Sequence, residues 1–409
     1  MKKILFVNNA LSGTGGARVI LNLATVLAER GNSISILLDR ADNIQYEIAK
    51  NIAIYVRRGN KIVELRDFSN KSEEGKKIIG KRAHQIRGIK NFIKKVFNYS
   101  KFFIIPYQLK GYKEFIKQKQ FDLIVNNNIY LNLDRSYFES RLSGNYFFNF
   151  HNSPTEVFGR PDFSHVLSLR KIFSHSTILT VSNDIAHELK SFKAFENNDI
   201  YTIYNPFNFS ELIEKSHDAN GNIISLPDKY IITVSTLTLR KRVERSIRAF
   251  FEIKKDHPEY KLIILGDGEL YSKHLEDVIK LGLESDVLFL GFQKNPYFFI
   301  SNAKLLMLTS DSEGLPTVLI ESLILGVPVI STDCPTGPAE ILQEWGCDFL
   351  VKINNSRSEE DIIKDLAAKA SQIIAKSYTN EEVALRSNLH RFEEHNIARQ
   401  WENLAENHV

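Results

Sequence analysis

The segment KILFVNN, followed by the glycine loop SGTGG, then ARVILNLATVLAERG and SISILLD, places the tightest limit on how this chain can fold. A short apolar run, a glycine turn, apolar residues at helical spacing and a second apolar run spell strand, loop, helix, strand, the βαβ unit of a parallel sheet. FDLIVNN, YFFNFHN and TILTVSN extend the series, the last leading into the helical DIAHELKSF. After the polar SHDANGN the pattern restarts with KYIITVST, VERSIRAFFEIKKDHP, YKLIILGDG, ELYSKHLEDVIKLGL and DVLFLGF, and AKLLMLTS and VPVISTD continue it. Two α/β domains are expected, residues 1–206 and 207–390, with 391–409 a C-terminal helix whose Trp401 and Leu404 can dock on either domain. Asn205 and Pro206 mark the crossing. Ligands of such sheets bind beyond the carboxyl ends of the strands, so two facing domains would form a cleft.

At 409 residues, 43% hydrophobic and 25% charged, the chain has a core to bury and shows no repeat or low-complexity tract. Cys334 and Cys347 lie thirteen apart without CxxC or histidine spacing, which indicates neither a disulfide framework nor structural zinc and suits a reducing cytoplasm. ILFV is too short for a signal-peptide core, and no run approaches eighteen apolar residues. The net charge of +4 is uneven, because residues 71–120 hold fourteen Lys or Arg against three Glu. Isoleucine and phenylalanine are mixed into that stretch, as an interfacial helix on anionic lipid requires. A solvated face is the bland alternative. No nucleic-acid motif accompanies the charge.

Three loops draw attention. GTGG at 13–16 allows close backbone approach to phosphate or sugar, or simply a tight turn; a full GxGxxG fails at Arg18, and only Asp39 could serve as the acid of a dinucleotide site. GDG at 266–268 needs no more than a turn before a helix. SEGLPTVLIESLILG is more specific. Pro316 suits the first turn of a helix and Gly326 the position past its end, while the residues between are apolar on most sides. Glu321 inside this helix cannot complete a capping box, because position 318 is Val. A buried carboxylate without partners is costly, and vicinal hydroxyls such as those of ribose would satisfy it.

The spacing Glu313-x7-Glu321 with GLP after the first acid, PVISTDCPTGPAEIL behind it and the N-terminal glycine loop resembles the retaining glycosyltransferases of family four, with the GT-B fold of two Rossmann-like parallel-sheet domains facing across a cleft and a C-terminal helix that crosses back. The resemblance implies that Glu313 lies beside the donor sugar and its diphosphate, that Glu321 holds the ribose hydroxyls, and that the backbone at Gly314, Leu315, Pro316 and Thr317 meets phosphate. Lys241 matches the family's diphosphate lysine. Ser235 and Thr236 replace the usual Gly-Arg, so Arg240 or Arg242 substitutes for the second cation. His151 matches a histidine under the sugar, Gly15 and Gly16 the N-terminal donor loop, and Gly291, Phe292 and Gln293 the turn that contacts the base. Ser182 is a strand-end residue with an acceptor-side role.

The expectation is a cytoplasmic enzyme, peripheral at the inner face of the cell membrane through residues 71–120, that moves a hexose or N-acetylhexosamine from a UDP-linked donor to a glycan or lipid-linked acceptor in bacterial surface-glycan synthesis. No metal and no separate cofactor are called for, since Lys241, Arg240 or Arg242 and the helix start can offset the diphosphate. The rivals are a sugar-nucleotide epimerase or phosphorylase on the same fold and a catalytically silent GT-B subunit stabilising a partner transferase, which the missing Gly-Arg favours.

Overall fold

The computed structural model describes residues 1–11, 15–40, 44, 47–65, 109–128, 133–142, 144–159, 166–174, 176–218, 225–354 and 356–407. Residues 71–108, which hold most of the basic stretch, and Gly13 lie outside the described residues. The chain divides into two compact units: unit 1 comprises Met1–Asn149, Leu167–Thr177 and Glu402–Val409, and unit 2 Phe150–Val166 and Ile178–Trp401. The stretch from Ile178 to Pro206, assigned from sequence to the first domain, groups with unit 2. The end of the C-terminal helix, Glu394–Asn407, counts with unit 1 from Glu402 onward. There the Glu402 carboxylate accepts from Arg30 Nη2 at 2.7 Å and Asn32 Nδ2 at 3.0 Å.

In unit 1, β1 (Lys3–Asn8), β2 (Ser33–Leu38), β3 (Ile52–Arg58), β4 (Lys61–Glu64), β5 (Leu123–Asn126) and β6 (Tyr146–Phe150) stand in the order β4-β3-β2-β1-β5-β6. All these pairs are parallel except β3 with β4. Ile4, Leu5 and Phe6 are wholly buried. A continuous apolar run rather than an alternating one is what a strand covered on both faces requires. Helix Gly15–Glu29 lays Ile20, Leu23, Ala24 and Leu27 into the core.

Unit 2 contains β7 (Thr177–Thr180) and β8 (Ile200–Thr202), a parallel pair with Ile178 opposite Ile200. Its main sheet is built from β9 (Tyr230–Val234), β10 (Lys261–Leu265), β11 (Val287–Gly291), β12 (Leu305–Leu308), β13 (Val329–Asp333) and β14 (Leu350–Lys352), all parallel, in the order β11-β10-β9-β12-β13-β14. The chain runs outward from β9 through β10 to β11, then returns to β9's other side as β12. The loops leaving β9 and β12 therefore meet at the switch point, where ligands of open α/β sheets bind. Among the described residues no helix is long and apolar enough to cross a membrane.

Candidate functional site

The loop leaving β9 begins with Ser235 and the exposed Thr236. The GDG turn after β10 packs against it: a Cβ at Gly266, whose φ is +131°, would meet the Ser235 carbonyl oxygen at 1.8 Å, and one at Gly268 would meet the Leu237 carbonyl at 2.5 Å. These glycines are thus required by a close backbone approach at the carboxyl edge of the sheet. Beyond it a 3₁₀ turn, Leu239–Lys241, carries Arg240 and Lys241, and Arg242 in a left-handed conformation (φ 48°, ψ 43°) redirects the chain into helix Val243–Asp256.

This turn is fastened to the loop leaving β12. Asp311 N–H donates to the Arg240 carbonyl at 2.9 Å, and the Thr309 hydroxyl donates to the Arg242 carbonyl at 2.9 Å. The Arg242 guanidinium pairs with Glu244, with Asp311 at 2.9 Å and with Glu359 at 2.9 Å. Buried Arg245 binds the same Asp311 and Glu359 at 2.6 and 2.7 Å. Burial opposes the charge of Arg242, but Glu244 and Asp311 outweigh it and raise its pKa. Arg242, expected as a candidate diphosphate cation, is paired with these three acids.

Its two predecessors converge on Glu313. Lys241 Nζ lies 2.6 and 2.9 Å from the two carboxylate oxygens, Arg240 Nη1 lies 3.2 Å from Oε2, and the Ser310 hydroxyl donates to Oε1 at 2.5 Å. Glu313 is 5% exposed. Burial alone would raise its pKa, yet Lys241 and Arg240 hold it below the ordinary carboxylate range, so it is ionised at neutral pH.

Gly314 follows at the tightest point. A Cβ there would stand 1.8 Å from the His151 carbonyl oxygen. The Gly314 carbonyl accepts from the hydroxyls of Ser182 and Thr336, each at 3.2 Å. Ser182 also caps helix Asn183–Ser191, accepting from Ile185 N–H at 3.2 Å. His151 keeps some solvent contact, but desolvation lowers its pKa to about 4, so its imidazole is neutral at pH 7.

Helix Thr317–Ile324 starts three residues beyond Gly314. Pro316 stands at its N-cap, one position before the expected first turn, and contributes no capping side chain. Leu319 N–H turns back to the Pro316 carbonyl at 3.1 Å, and no capping side chain takes the amides before it. Gly326 follows the helix with φ +71°, as its spacing suggested. Glu321 is 6% exposed among the buried Leu319, Ile320 and Leu323. At the end of β11, the Gly291 carbonyl accepts from Gly266 N–H at 2.8 Å, Phe292 is 44% exposed, and Gln293 Nε2 donates to the Leu290 carbonyl at 2.7 Å.

The structure therefore gathers Glu313, Lys241, Arg240, Gly314 and His151 in direct contact or one bond apart. Leu315, Pro316, Thr317 and Glu321 share the helix that follows, and Thr236, Gly291, Phe292 and Gln293 occupy neighbouring strand ends. Gly15 and Gly16 open the first helix of unit 1 and are exposed. Sequence reasoning missed Thr336, Asp311, Arg245 and Glu359, because their roles come from partners far along the chain, and Ser310, whose local bond to Glu313 no motif marks. It also missed Glu156, whose carboxylate accepts from Ser312 at 2.7 Å and lies 3.4 Å from Arg240 Nε.

Unit 1 has its own switch point, between β1 and β5. Asn127 Nδ2 donates to Asn8 Oδ1 at 3.0 Å, and Asn149 Nδ2 donates to Asn127 Oδ1 at 3.0 Å, so a row of amides follows the strand ends. Asp39 pairs with Arg57 and Arg135, each at 2.8 Å, which occupies the only acid considered for a dinucleotide ribose.

Comparison with known proteins bears on the family and the fold. Residues 215–379 match the family model described as Glycosyl transferases group 1. An uncharacterised glycosyltransferase of Methanocaldococcus jannaschii is 34% identical over 197 residues, which is 47% of this chain and 48% of that protein. The N-acetylgalactosamine-N,N'-diacetylbacillosaminyl-diphospho-undecaprenol 4-alpha-N-acetylgalactosaminyltransferase of Campylobacter jejuni is 30% identical over 44% of this chain and 50% of its own. The chain spans about half the length of these curated relatives. The pneumococcal O-GlcNAc transferase GtfA, solved with UDP and GlcNAc, superposes with a TM-score of 0.69 at 13% identity, covering 100% of this chain and 99% of that one. Its likeness shows the fold, which is GT-B.

Proposed function

We propose that this chain, whose residues 215–379 carry a group 1 glycosyl transferase domain on a GT-B fold, transfers a hexose or N-acetylhexosamine from a UDP-sugar to a glycan or lipid-linked acceptor, with retention at the anomeric carbon. The observation that carries this proposal is the buried Glu313–Lys241 pair, joined by Arg240, at the switch point beside an uncapped helix start.

When the sugar leaves, negative charge grows on the diphosphate. Lys241, Arg240 and the N–H groups of Leu315 and Thr317 are held in place before that moment, so they stabilise the charge without reorganising. Glu321 is suited to accept from two ribose hydroxyls. His151, neutral at pH 7, can hydrogen-bond a sugar hydroxyl without adding charge. The Glu313 carboxylate already accepts from two cations and a hydroxyl, which makes it a weak nucleophile. Same-face attack by the acceptor needs none. The amides of Asn8, Asn127 and Asn149 suit a neutral, hydroxyl-rich acceptor.

UDP is favoured by the pneumococcal fold neighbour's ligand, and a lipid-linked glycan acceptor by the undecaprenol-linked substrate in the Campylobacter enzyme's name. The basic stretch 71–120 would bring the enzyme to anionic lipid on the cytoplasmic side. Neutralising Lys94, Lys95 and Lys101 should then weaken binding to anionic liposomes in low salt, and unchanged binding would refute the membrane role. The function itself is tested by incubation with a panel of UDP- and GDP-sugars, with free nucleotide as the readout. UDP release by the wild type and its loss in Glu313→Ala are expected. Persistent release in the variant contradicts the role of Glu313. Nucleotide binding without turnover of any donor returns the silent-subunit alternative.

A further inference from the structure

We propose that Glu156 is a positioning residue of the donor site, competing with the donor diphosphate for the Arg240 guanidinium. The proposal rests on the glycosyltransferase function above.

Ser153-Pro-Thr-Glu156 has the spacing of a capping box, in which the glutamate would return to the N-terminus of its own helix, Pro154–Phe158. Only half of the box forms. Ser153 Oγ accepts from Glu156 N–H at 3.4 Å, while Glu188 Oε1 accepts from the neighbouring Thr155 N–H at 2.8 Å and from the Ser153 hydroxyl at 2.9 Å. The Glu156 carboxylate instead accepts from the Ser312 hydroxyl at 2.7 Å and pairs with Arg240 Nε at 3.4 Å.

The same guanidinium uses Nη1 to reach the Ser312 carbonyl at 2.5 Å and Glu313 Oε2 at 3.2 Å. Arg240 is thus held from three sides, between a buried acid and an exposed one. Lys241 and Arg240 supply two positive charges, and Glu313 and Glu156 supply two negative ones. A diphosphate that adds at least two further negative charges gains net attraction only if one acid lets go.

The two ion pairs differ in how readily they separate. Glu313 and Lys241 side chains are 6% and 16% exposed, whereas Glu156 and Arg240 are 36% and 31% exposed. Water weakens the second pair far more than the first. Glu156 is therefore the acid that yields Arg240, and until then it keeps the guanidinium near where the diphosphate is needed.

The test is the UDP dissociation constant, measured by calorimetry for the wild type, Glu156→Gln, Arg240→Gln and the double variant. Glutamine preserves an acceptor for Ser312 and removes the charge. Glu156→Gln should bind UDP roughly ten-fold tighter at low ionic strength, as expected when a nearby like charge is removed. The gain should shrink as salt is added. In the Arg240→Gln background the same change should have little effect, because the contested group is gone. Equal or weaker UDP binding by Glu156→Gln, which a merely structural role would give, overturns the proposal, as does a full gain surviving without Arg240. Failure of all four proteins to bind UDP overturns the donor-site assignment itself, and the Glu156 proposal with it.

Discussion

Glu313→Gln keeps the shape of the buried side chain and removes the charge that Lys241 faces at 2.6 and 2.9 Å. At an effective dielectric of about 20, unit charges roughly 3 Å apart attract by on the order of 5 kcal/mol. Desolvation offsets several kcal/mol of this, but removing one partner leaves the other buried and unpaired, with a loss of about 3 kcal/mol. Lys241 at 16% exposure reaches some water, while Glu313 at 6% reaches little. Lys241→Met should therefore cost about as much, moderated by Arg240 and Ser310, which still donate to Glu313. The double variant should lose only about 3 kcal/mol rather than the sum, a coupling of about 2 kcal/mol or more. Both tryptophans of the chain, Trp345 and Trp401, are buried in unit 2, so urea unfolding followed by tryptophan fluorescence reads the unit that contains the pair. The folded-state pKa of Glu313 is depressed, so its contribution is complete above the unfolded carboxylate pKa and disappears as the pH falls through the folded value. The gap between wild type and Glu313→Gln should close on acidification. Additive losses in the double variant would refute the electrostatic picture of this site.

His151 should titrate near pH 4 by NMR, against an ordinary value of 6.5. Its contribution, on the order of 3 kcal/mol, is complete above pH 6.5 and lost as the pH falls toward 4. His151→Gln should flatten that part of the stability profile, and a midpoint near 6.5 would contradict the burial. Gly314→Ala should destabilise unit 2 by about 3 kcal/mol and abolish transfer, because its Cβ would meet the His151 carbonyl at 1.8 Å. Wild-type activity in that variant would show that the two loops do not need this approach.

Strand and helix order was legible because buried parallel strands are continuous apolar runs. KILFVNN, KYIITVST and YKLIILGDG have no other economical placement, and β1, β9 and β10 fall on them. The helix after GLP was legible from Pro316, Gly326 and its apolar circumference. Glu313 and Lys241 stood out through the family resemblance, but the partners that fix them did not. Asp311, Arg245 and Glu359 read as ordinary surface charges until the fold brings Glu359 beside Arg245 across 114 positions. Glu156 was hidden for a different reason: its spacing fits a helix cap, and only the fold shows its carboxylate turned to Ser312 and Arg240.

The most direct measurement is a crystal structure with UDP bound. The diphosphate should lie against Lys241, Arg240 and the N–H groups of Leu315 and Thr317, with both ribose hydroxyls donating to Glu321. A nucleotide whose phosphates lie away from Lys241, or whose ribose hydroxyls do not reach Glu321, would contradict the assignment of this site.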